Sequence, residues 1–449
     1  MKTGSVHYSV SSQNGLRFDA SFHLSEGLVV KRQIASSPYE TLKIKDVTSD
    51  IFYGNRAKRV YVSKKERGIP FLSSSDILQA DLENVKFASK KYTPCIEEMM
   101  LKKGWTLISR SGTIGNCAFA NAKHAQKLAS EDVIRLVPNN ILRGGLVYAY
   151  LASKQGHSLL TQGTFGAVIQ HIEPNFIASL PIPKFPDDFQ KEVDDLVQES
   201  ARLREDASDS LNQAIFIFES EIGKSNVNLK CNYKIINSNN LSRKFCRFDS
   251  QYQIGKSQIS KNVNSVKIGS IVKKIFIGNR GKRYYVMNGI PFLSSSDMML
   301  ANPYRYCKFI SKKTPSLSEM IVNSRDILIS RSGTVGNTII VGRVLSGVAV
   351  SEHAMRLVVD PDLISPEYVF AYFMTDHGHD ALQVLPYGSV IVTLGEDFLA
   401  DVDLPILDQP KINSITEHIC SYIEKQDLSI EKENKAIRMV EEEIEKWNN

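Results

Sequence analysis

Leu107-Ile-Ser-Arg-Ser-Gly-Thr-Ile-Gly-Asn116 returns, with one residue changed, as Leu328-Ile-Ser-Arg-Ser-Gly-Thr-Val-Gly-Asn337. Upstream, Ile69-Pro-Phe-Leu-Ser-Ser-Ser-Asp76 returns unchanged as Ile290-Pro-Phe-Leu-Ser-Ser-Ser-Asp297. Both pairs lie 221 positions apart. A constant offset over separated blocks means a duplicated domain, so the chain presents one surface twice. Leu107-Ile108 reads as a strand entering a loop that Gly112 and Gly115 allow to bend tightly. Residues 69–72 read as a strand that runs into a serine turn or helix cap ahead of Asp76, and the second copy does the same ahead of Asp297.

Further words extend the repeat. Arg17-Phe-Asp-Ala-Ser-Phe22 opens the first copy and Arg247-Phe-Asp-Ser-Gln-Tyr252 the second. Phe52-Tyr-Gly-Asn-Arg-Ala-Lys-Arg59 is echoed by Phe276-Ile-Gly-Asn-Arg-Gly-Lys-Arg283. Gly-Asn marks a turn, so each copy projects an arginine and a Lys-Arg pair from a loop. Residues 133–137 and 355–359 read as β segments. A helix follows in each copy, ending at Gly156 and at Gly378, since glycine just past an apolar helix is a usual stop. His157 and His379 then read as helix-end histidines near the dipole rather than as ligands. Each copy continues through Gly163-Thr-Phe-Gly-Ala-Val-Ile-Gln170 or Tyr387-Gly-Ser-Val-Ile-Val392. It closes on Leu180-Pro-Ile-Pro183 or Leu404-Pro-Ile406, where proline bars an ordinary central strand.

A long helical segment follows each closing proline. In the first, Phe189, Val193, Leu196, Leu203, Ala207, Leu211, Ala214 and Phe218 recur at spacings of three, four or seven. In the second, Ile412, Ile415, Ile419, Tyr422, Ile430, Ile437, Val440, Ile444 and Trp447 keep the heptad, with Gln426 and Glu433 at interior positions. Sustained spacing of this kind predicts a coiled-coil seam. Neither helix can bury its stripe alone, so the two are expected to pair antiparallel and hold the domains apart. At 1.5 Å per residue each spans on the order of 50 Å, long enough to act as a ruler.

The expected fold is α+β, with two similar mixed α/β domains separated by two long antiparallel coiled-coil helices. The domains are residues 1–186 and 226–407, and the helices are 187–225 and 408–449. At 449 residues the chain is long enough for several cores. The absence of a long apolar run or a signal-peptide core predicts a cytoplasmic protein without a membrane span. Six scattered cysteines, with no Cys-x-x-Cys pair, read as reduced thiols, and no metal site is expected. The net charge of +6 is unevenly spread: Asp187–Ile222 carries −8 and 408–449 carries −4, which leaves +18 on the repeated parts. An anionic ligand would bind there.

Catalytic motifs fail one at a time. Gly112-Thr-Ile-Gly-Asn116 lacks the lysine of a phosphate-binding loop. No Gly-x-Gly-x-x-Gly turn is present. Asn302-Pro-Tyr304 only partly matches the Asn-Pro-Pro-Tyr of amino-methyltransferases, and the first copy has Asp81-Leu-Glu83 near that position. Ser111 and Ser332 lack a nucleophile elbow. His353 aligns with Asp132, so it is not a base shared by the copies. Binding fits better, because Ser, Thr, Asn and Arg on glycine-bent loops contact phosphate oxygens and base edges. Catalytic residues are therefore none. The DNA-binding candidates are Arg56, Lys58, Arg59, Arg110, Ser111, Thr113, Asn116 and Gln170 in the first copy. In the second they are Arg280, Lys282, Arg283, Arg331, Ser332, Thr334 and Asn337. Arg110 and Arg331 can equally brace a carboxylate.

The order domain, helix, similar domain, helix resembles the specificity subunit of type I restriction–modification systems. The words that carry the resemblance are Arg17-Phe-Asp19, Ile327-Leu-Ile-Ser-Arg-Ser-Gly-Thr-Val-Gly336, and Gly166-Ala-Val-Ile-Gln-His-Ile172 leading to Leu180-Pro-Ile-Pro183. The resemblance implies that each copy is a target recognition domain for one half of a bipartite site in double-stranded DNA. The helices would set the spacer and dock two methyltransferase subunits, with restriction subunits as further partners. It implies a non-catalytic chain without a cofactor of its own, S-adenosylmethionine, ATP and magnesium belonging to the partners. Recognition domains in that family often differ strongly while their helices match. Here the domains share long words, which are either framework common to unlike half-sites or the mark of related half-sites; the second is the expectation preferred, with a nearly palindromic target. Residues 81–86 against 302–308 are where a half-site difference is expected. Arg110→Ala or Arg331→Ala is expected to lower discrimination in one half-site only. A coiled-coil interaction scaffold, or the specificity part of another class of restriction enzyme, is the alternative.

Overall fold

The computed structural model describes residues 20–56, 58–63, 65–164, 171–223, 225, 247, 249, 252–253, 255, 264–388 and 392–448. The Arg17-Phe-Asp19 word, Gln170 with the apolar stretch before it, Ser389-Val-Ile391, Cys231 and Cys246 lie outside the described residues. The chain divides into two compact units: residues 1–205 with 428–449, and 206–427.

Among the described residues the first unit has ten strands: β1 Thr41–Lys43, β2 Thr48–Tyr53, β3 Tyr61–Val62, β4 Gly68–Leu72, β5 Lys86–Ser89, β6 Thr106–Ser109, β7 Cys117–Phe119, β8 Leu128–Ala129, β9 Val133–Pro138 and β10 Pro181–Pro183. They form one sheet in the order β2-β9-β6-β7, a second in the order β3-β5-β4-β8, and the pair β1-β10. The second unit repeats the set: β11 Ser265–Lys267, β12 Val272–Ile277, β13 Tyr285–Val286, β14 Ile290–Leu293, β15 Lys308–Ile310, β16 Ile327–Ser330, β17 Thr338–Ile340, β18 Ala349–Val350, β19 Ala354–Val359 and β20 Asp403–Pro405. Its sheets run β12-β19-β16-β17, β13-β15-β14-β18 and β11-β20, strand for strand the same topology. The repeated words thus form repeated structure, and the closing prolines sit in two-stranded sheets where a missing N–H costs nothing. The serine turns open with reciprocal bonds: Ser73 N donates to Asp76 Oδ2 at 2.8 Å and Ser294 N to Asp297 Oδ2 at 2.9 Å.

In each unit a buried arginine on the central strand gathers the carbonyls of neighbouring segments, and in the first unit these include β8 of the second sheet. Arg135 on β9 is fully buried and donates to the carbonyls of Val133 (2.6 Å), Ala129 (2.7 Å), Ser130 (3.1 Å) and Met99 (3.2 Å). Burial pulls its pKa down to about 10. Arg356 on β19 repeats this with Ile321 (2.6 Å), Met320 (3.0 Å) and Glu319 (3.3 Å). A guanidinium with five donors suits this task, because it satisfies several sheet-end carbonyls at once.

Helix α1 (Glu26–Ala35) precedes β1, and α2 (Gly144–Ala152) follows β9. Apart from its first residue α2 is buried on every side, as its uniformly apolar sequence requires. The helices end earlier than Gly156 and Gly378. In the first unit α2 stops at Ala152, and Ser153 caps a new helix, α3 (Lys154–Gln162), by accepting from Gly156 N. In the second, α5 (Pro366–Met374) stops at Met374 and Thr375 caps α6 (Asp376–Val384) through Gly378 N. The glycines are therefore not stops. A Cβ at Gly156 would lie 2.0 Å from the Tyr150 carbonyl oxygen, and one at Gly378 2.0 Å from that of Tyr372. Close approach of two helices at a corner is what demands glycine there. For the same reason His157 and His379 stand in the first turn of a helix, not at a C-terminus.

The long helices are α4 (Asp187–Ile222) and α7 (Gln409–Glu445). Within the first unit, Val193, Val197 and Ala201 of α4 share a core with Ala436, Ile437, Val440 and Ile444 of α7. Within the second, Leu211, Ala214 and Phe218 share one with Ile415 and Ile419. Burying each large aliphatic residue of this seam contributes about 1.5–3 kcal/mol. Partners run in opposite directions in both units. Glu192 pairs with Lys435 at 3.5 Å and Glu199 with Lys432 at 2.9 Å, and Ser200 Oγ donates to Ser429 O at 2.8 Å. Lys425 Nζ meets Ser210 Oγ at 2.9 Å, and Lys411 meets Glu221 at 2.8 Å. The antiparallel coiled coil and the two mixed α/β domains stand as expected. No described helix is long and apolar enough to cross a membrane.

Candidate nucleic-acid interface

The duplicated loop is the turn of a hairpin, β6 to β7 in the first copy and β16 to β17 in the second. Ser109 N donates to Asn116 O and Gly115 N to Ser109 O, both at 2.9 Å. Ser330 N to Asn337 O (2.8 Å) and Gly336 N to Ser330 O (2.9 Å) repeat the closure. The glycines at the two bends have φ of +73° and +80° in one copy and +77° and +94° in the other, a region that favours glycine. Ser109 Oγ ties the loop inside, reaching Ser111 O at 3.0 Å and Thr113 Oγ1 at 3.1 Å. Thr113 and Thr334 are exposed, and Ser111, Ser332, Arg331 and Asn337 are half-buried. Asn116 is buried, only 8% exposed, and serves the turn through its backbone.

The basic turn comes to the same place. Arg59 ion-pairs with Glu131 and lies over the Phe71 ring at 4.9 Å. Arg283 ion-pairs with Glu352 and lies over Phe292 at 4.8 Å. Glu131 is next to Asp132, whose carbonyl accepts from Arg110 N at 2.8 Å, and Arg331 N donates to His353 O at 2.9 Å. One carboxylate thus couples turn to loop in both copies. Arg59 and Arg283 brace this junction. Arg56, Lys58, Arg280 and Lys282 point outward and are exposed. Of these Arg56, with a side chain 90% exposed, has only a long approach of 3.8 Å to Glu131.

Arg110 ion-pairs with Glu173 and lies 4.6 Å above the Tyr53 ring. Arg331 instead donates Nε to Leu394 O at 3.3 Å. Ser332 Oγ hydrogen-bonds His353 Nδ1 at 2.6 Å. Sequence reasoning missed Glu131, Glu352, Tyr53 and Glu173, which hold these arginines. The available signal was the pair Glu131-Asp132 against Glu352-His353, an acidic residue kept and its neighbour changed. It also missed exposed Tyr61 and Tyr285, each with a lysine nearby: Lys86 at 5.3 Å and Lys308 at 5.4 Å from the ring. Among the described residues no group of three metal-ligating side chains is found.

Comparison with known proteins bears on the same region. Residues 36–196 match the type I restriction modification DNA specificity domain. No curated protein matches the chain. Among solved structures, a type I restriction–modification S subunit from M. genitalium is 12% identical, with 91% of this chain and 96% of that one covered and a TM-score of 0.36. The HsdS subunit from Thermoanaerobacter tengcongensis is 13% identical over 91% and 96%, with a TM-score of 0.29. The matched domain contains the first hairpin loop and basic turn. Residues 36–196 are thus similar to the type I restriction modification DNA specificity domain, and the second half of the chain repeats that region's words and strand order.

Proposed function

We propose that each copy reads one half of a bipartite site in double-stranded DNA. Helices α4 and α7 fix the spacing of the halves and dock two methyltransferase subunits, with restriction subunits joining that assembly. Adenine methylation and cleavage, with their S-adenosylmethionine, ATP and magnesium, belong to those partners, and this cytoplasmic chain supplies the address. The observation that carries the reading is the doubled surface: one glycine-bent loop joined to one basic turn through Glu131, and the same again through Glu352. Arg56, Lys58, Arg280 and Lys282 supply phosphate contacts and salt dependence. The hairpin loops supply discrimination.

Co-expression with a type I methyltransferase subunit, with and without this chain, followed by mapping of N6-methyladenine, tests it. Methylation at one split motif, present only with this chain, is expected. An assembled complex without such a motif refutes the DNA reading and favours a coiled-coil scaffold.

A further inference from the structure

The two copies share a scaffold at the loop but not its chemistry. Tyr53 is paired with Ile134 at the end of β2, as Ile277 is with Met355 at the end of β12. Ile172 N and Leu394 N both donate to the loop arginine's carbonyl, at 3.4 Å and 2.9 Å. By this register Ile277 stands where Tyr53 does, Gly395 where Glu173 does, and His353 where Asp132 does.

In the first copy Arg110 is neutralised by Glu173 and covered by Tyr53, with its side chain 16% exposed. The Asp132 carboxylate has no hydrogen-bond or ion-pair partner among the described residues. In the second copy glycine replaces the carboxylate. Arg331 uses only Nε, and its two terminal nitrogens are unpaired among the described residues. The His353 side chain, 45% exposed, is held by Ser332, with Nε2 3.7 Å from Glu352. Glu352 is already committed through its other oxygen to Arg283. One loop therefore offers a free acceptor, and its twin offers free donors.

We infer that this loop reads opposite hydrogen-bonding edges in the two copies, so the half-sites differ at the base pair it meets. Asp132 complements an exocyclic amine, that of cytosine or adenine. Arg331, with His353 beside it, complements the O6 and N7 acceptors of guanine. The inference rests on the DNA reading above and departs from a nearly palindromic target at this one position. It also separates two arginines that the repeat makes look equivalent: Arg331 is a base reader, and Arg110 is a brace for the loop.

The test is N6-methyladenine mapping in cells that co-express the full chain and a methyltransferase subunit, with gel filtration to establish that each variant assembles. Arg331→Ala, and Arg331→Gln as the less disruptive second variant, should each relax one guanine of one half-site at least about fivefold and leave the other half intact. Asp132→Asn should relax the other half only. Arg110→Ala should change neither preference by more than about twofold. An unchanged motif in both Arg331 variants, or equal relaxation by Arg110→Ala, overturns the inference while the DNA reading survives. No split motif with the unaltered chain overturns the DNA reading itself.

Discussion

Glu433 is a buried carboxylate at an interior position of α7, and the coiled coil near it should respond sharply to its removal. Its side chain is 3% exposed; Arg204 on α4, 15% exposed, donates Nη2 at 2.9 Å and Nη1 at 3.2 Å to it. The Tyr148 hydroxyl on α2 donates to the same carboxylate. Glu433→Leu takes from a guanidinium and a hydroxyl the buried carboxylate to which both donate. Breaking such a pair from one side costs about 3–5 kcal/mol, whereas replacing both charges by apolar residues is often neutral or better. At about 2–4 °C per kcal/mol for a unit of this size, the melting temperature should fall roughly 6–20 °C. Arg204→Leu combined with Glu433→Leu should recover most of that loss. Thermal unfolding of the full chain and its three variants completes the double-mutant cycle. A fall below about 3 °C for Glu433→Leu, or a double variant no more stable than the single, refutes the reasoning. The double variant carries a second expectation. A polar group at one interior position fixes helix register at some cost in stability, so on the proposed DNA reading a methyltransferase complex carrying the stable double variant should modify sites of more than one spacer length.

Two other perturbations follow from packing. His124 is fully buried between Asn121 and Ile77 O, and burial, ahead of the nearby Arg204 and Lys127 charges, lowers its pKa to about 4. The unfolded chain binds that proton near pH 6.5, so stability is present above that value and is lost as pH falls towards 4, by about 3 kcal/mol at most. His124→Leu, matching Leu345 in the second copy, should shrink the drop in melting temperature between pH 7 and 4.5; parallel curves for the two proteins would rule this out. Gly156→Ala and Gly378→Ala each drive a Cβ against a backbone carbonyl and should cost about 1–3 kcal/mol or more. Gly112→Ala, which meets open space but needs φ of +73°, should cost only about 1–2 kcal/mol. Urea midpoints that rank the three otherwise would show that the corner is not tightly packed.

What the sequence made legible was local or doubled. The hairpin loops, the serine turns and the strands at 133–137 and 355–359 were readable because each word carries its own turn residues. The seam of α4 and α7 was readable because apolar periodicity survives without knowing the partner. The rest depended on groups far apart in the chain. Arg135 inside Val-Ile-Arg-Leu-Val looks like a solvated residue on a strand until Met99, 36 residues earlier, turns its carbonyl towards it. Arg110 meets Glu173 63 residues later. The corner at Ser153 was in principle visible, since Ser153 and Thr375 each stand three residues before the glycine mistaken for a stop. A serine or threonine cap competes with glycine as a boundary signal, and only the fold shows which acts.

The repeat also shows which parts of the surface are free to change. Arg59 with Glu131 and Phe71, and Arg135 with its carbonyls, recur in the second copy as Arg283 with Glu352 and Phe292, and as Arg356. These groups hold turn, loop and sheets in place, so an altered member would move the whole surface. Tyr53 against Ile277, Asp132 against His353 and Glu173 against Gly395 do not recur, although they surround the same loop. They come from three separate segments, and their side chains lie outside the joints that recur in both copies. A loop so held can exchange acceptor for donor without refolding. Installing Tyr53, Asp132 and Glu173 in place of Ile277, His353 and Gly395 should therefore give the second half-site the first one's preference at that base pair. If the variant assembles normally and its preference is unchanged, discrimination resides elsewhere, with residues 81–86 and 302–308 the next to exchange.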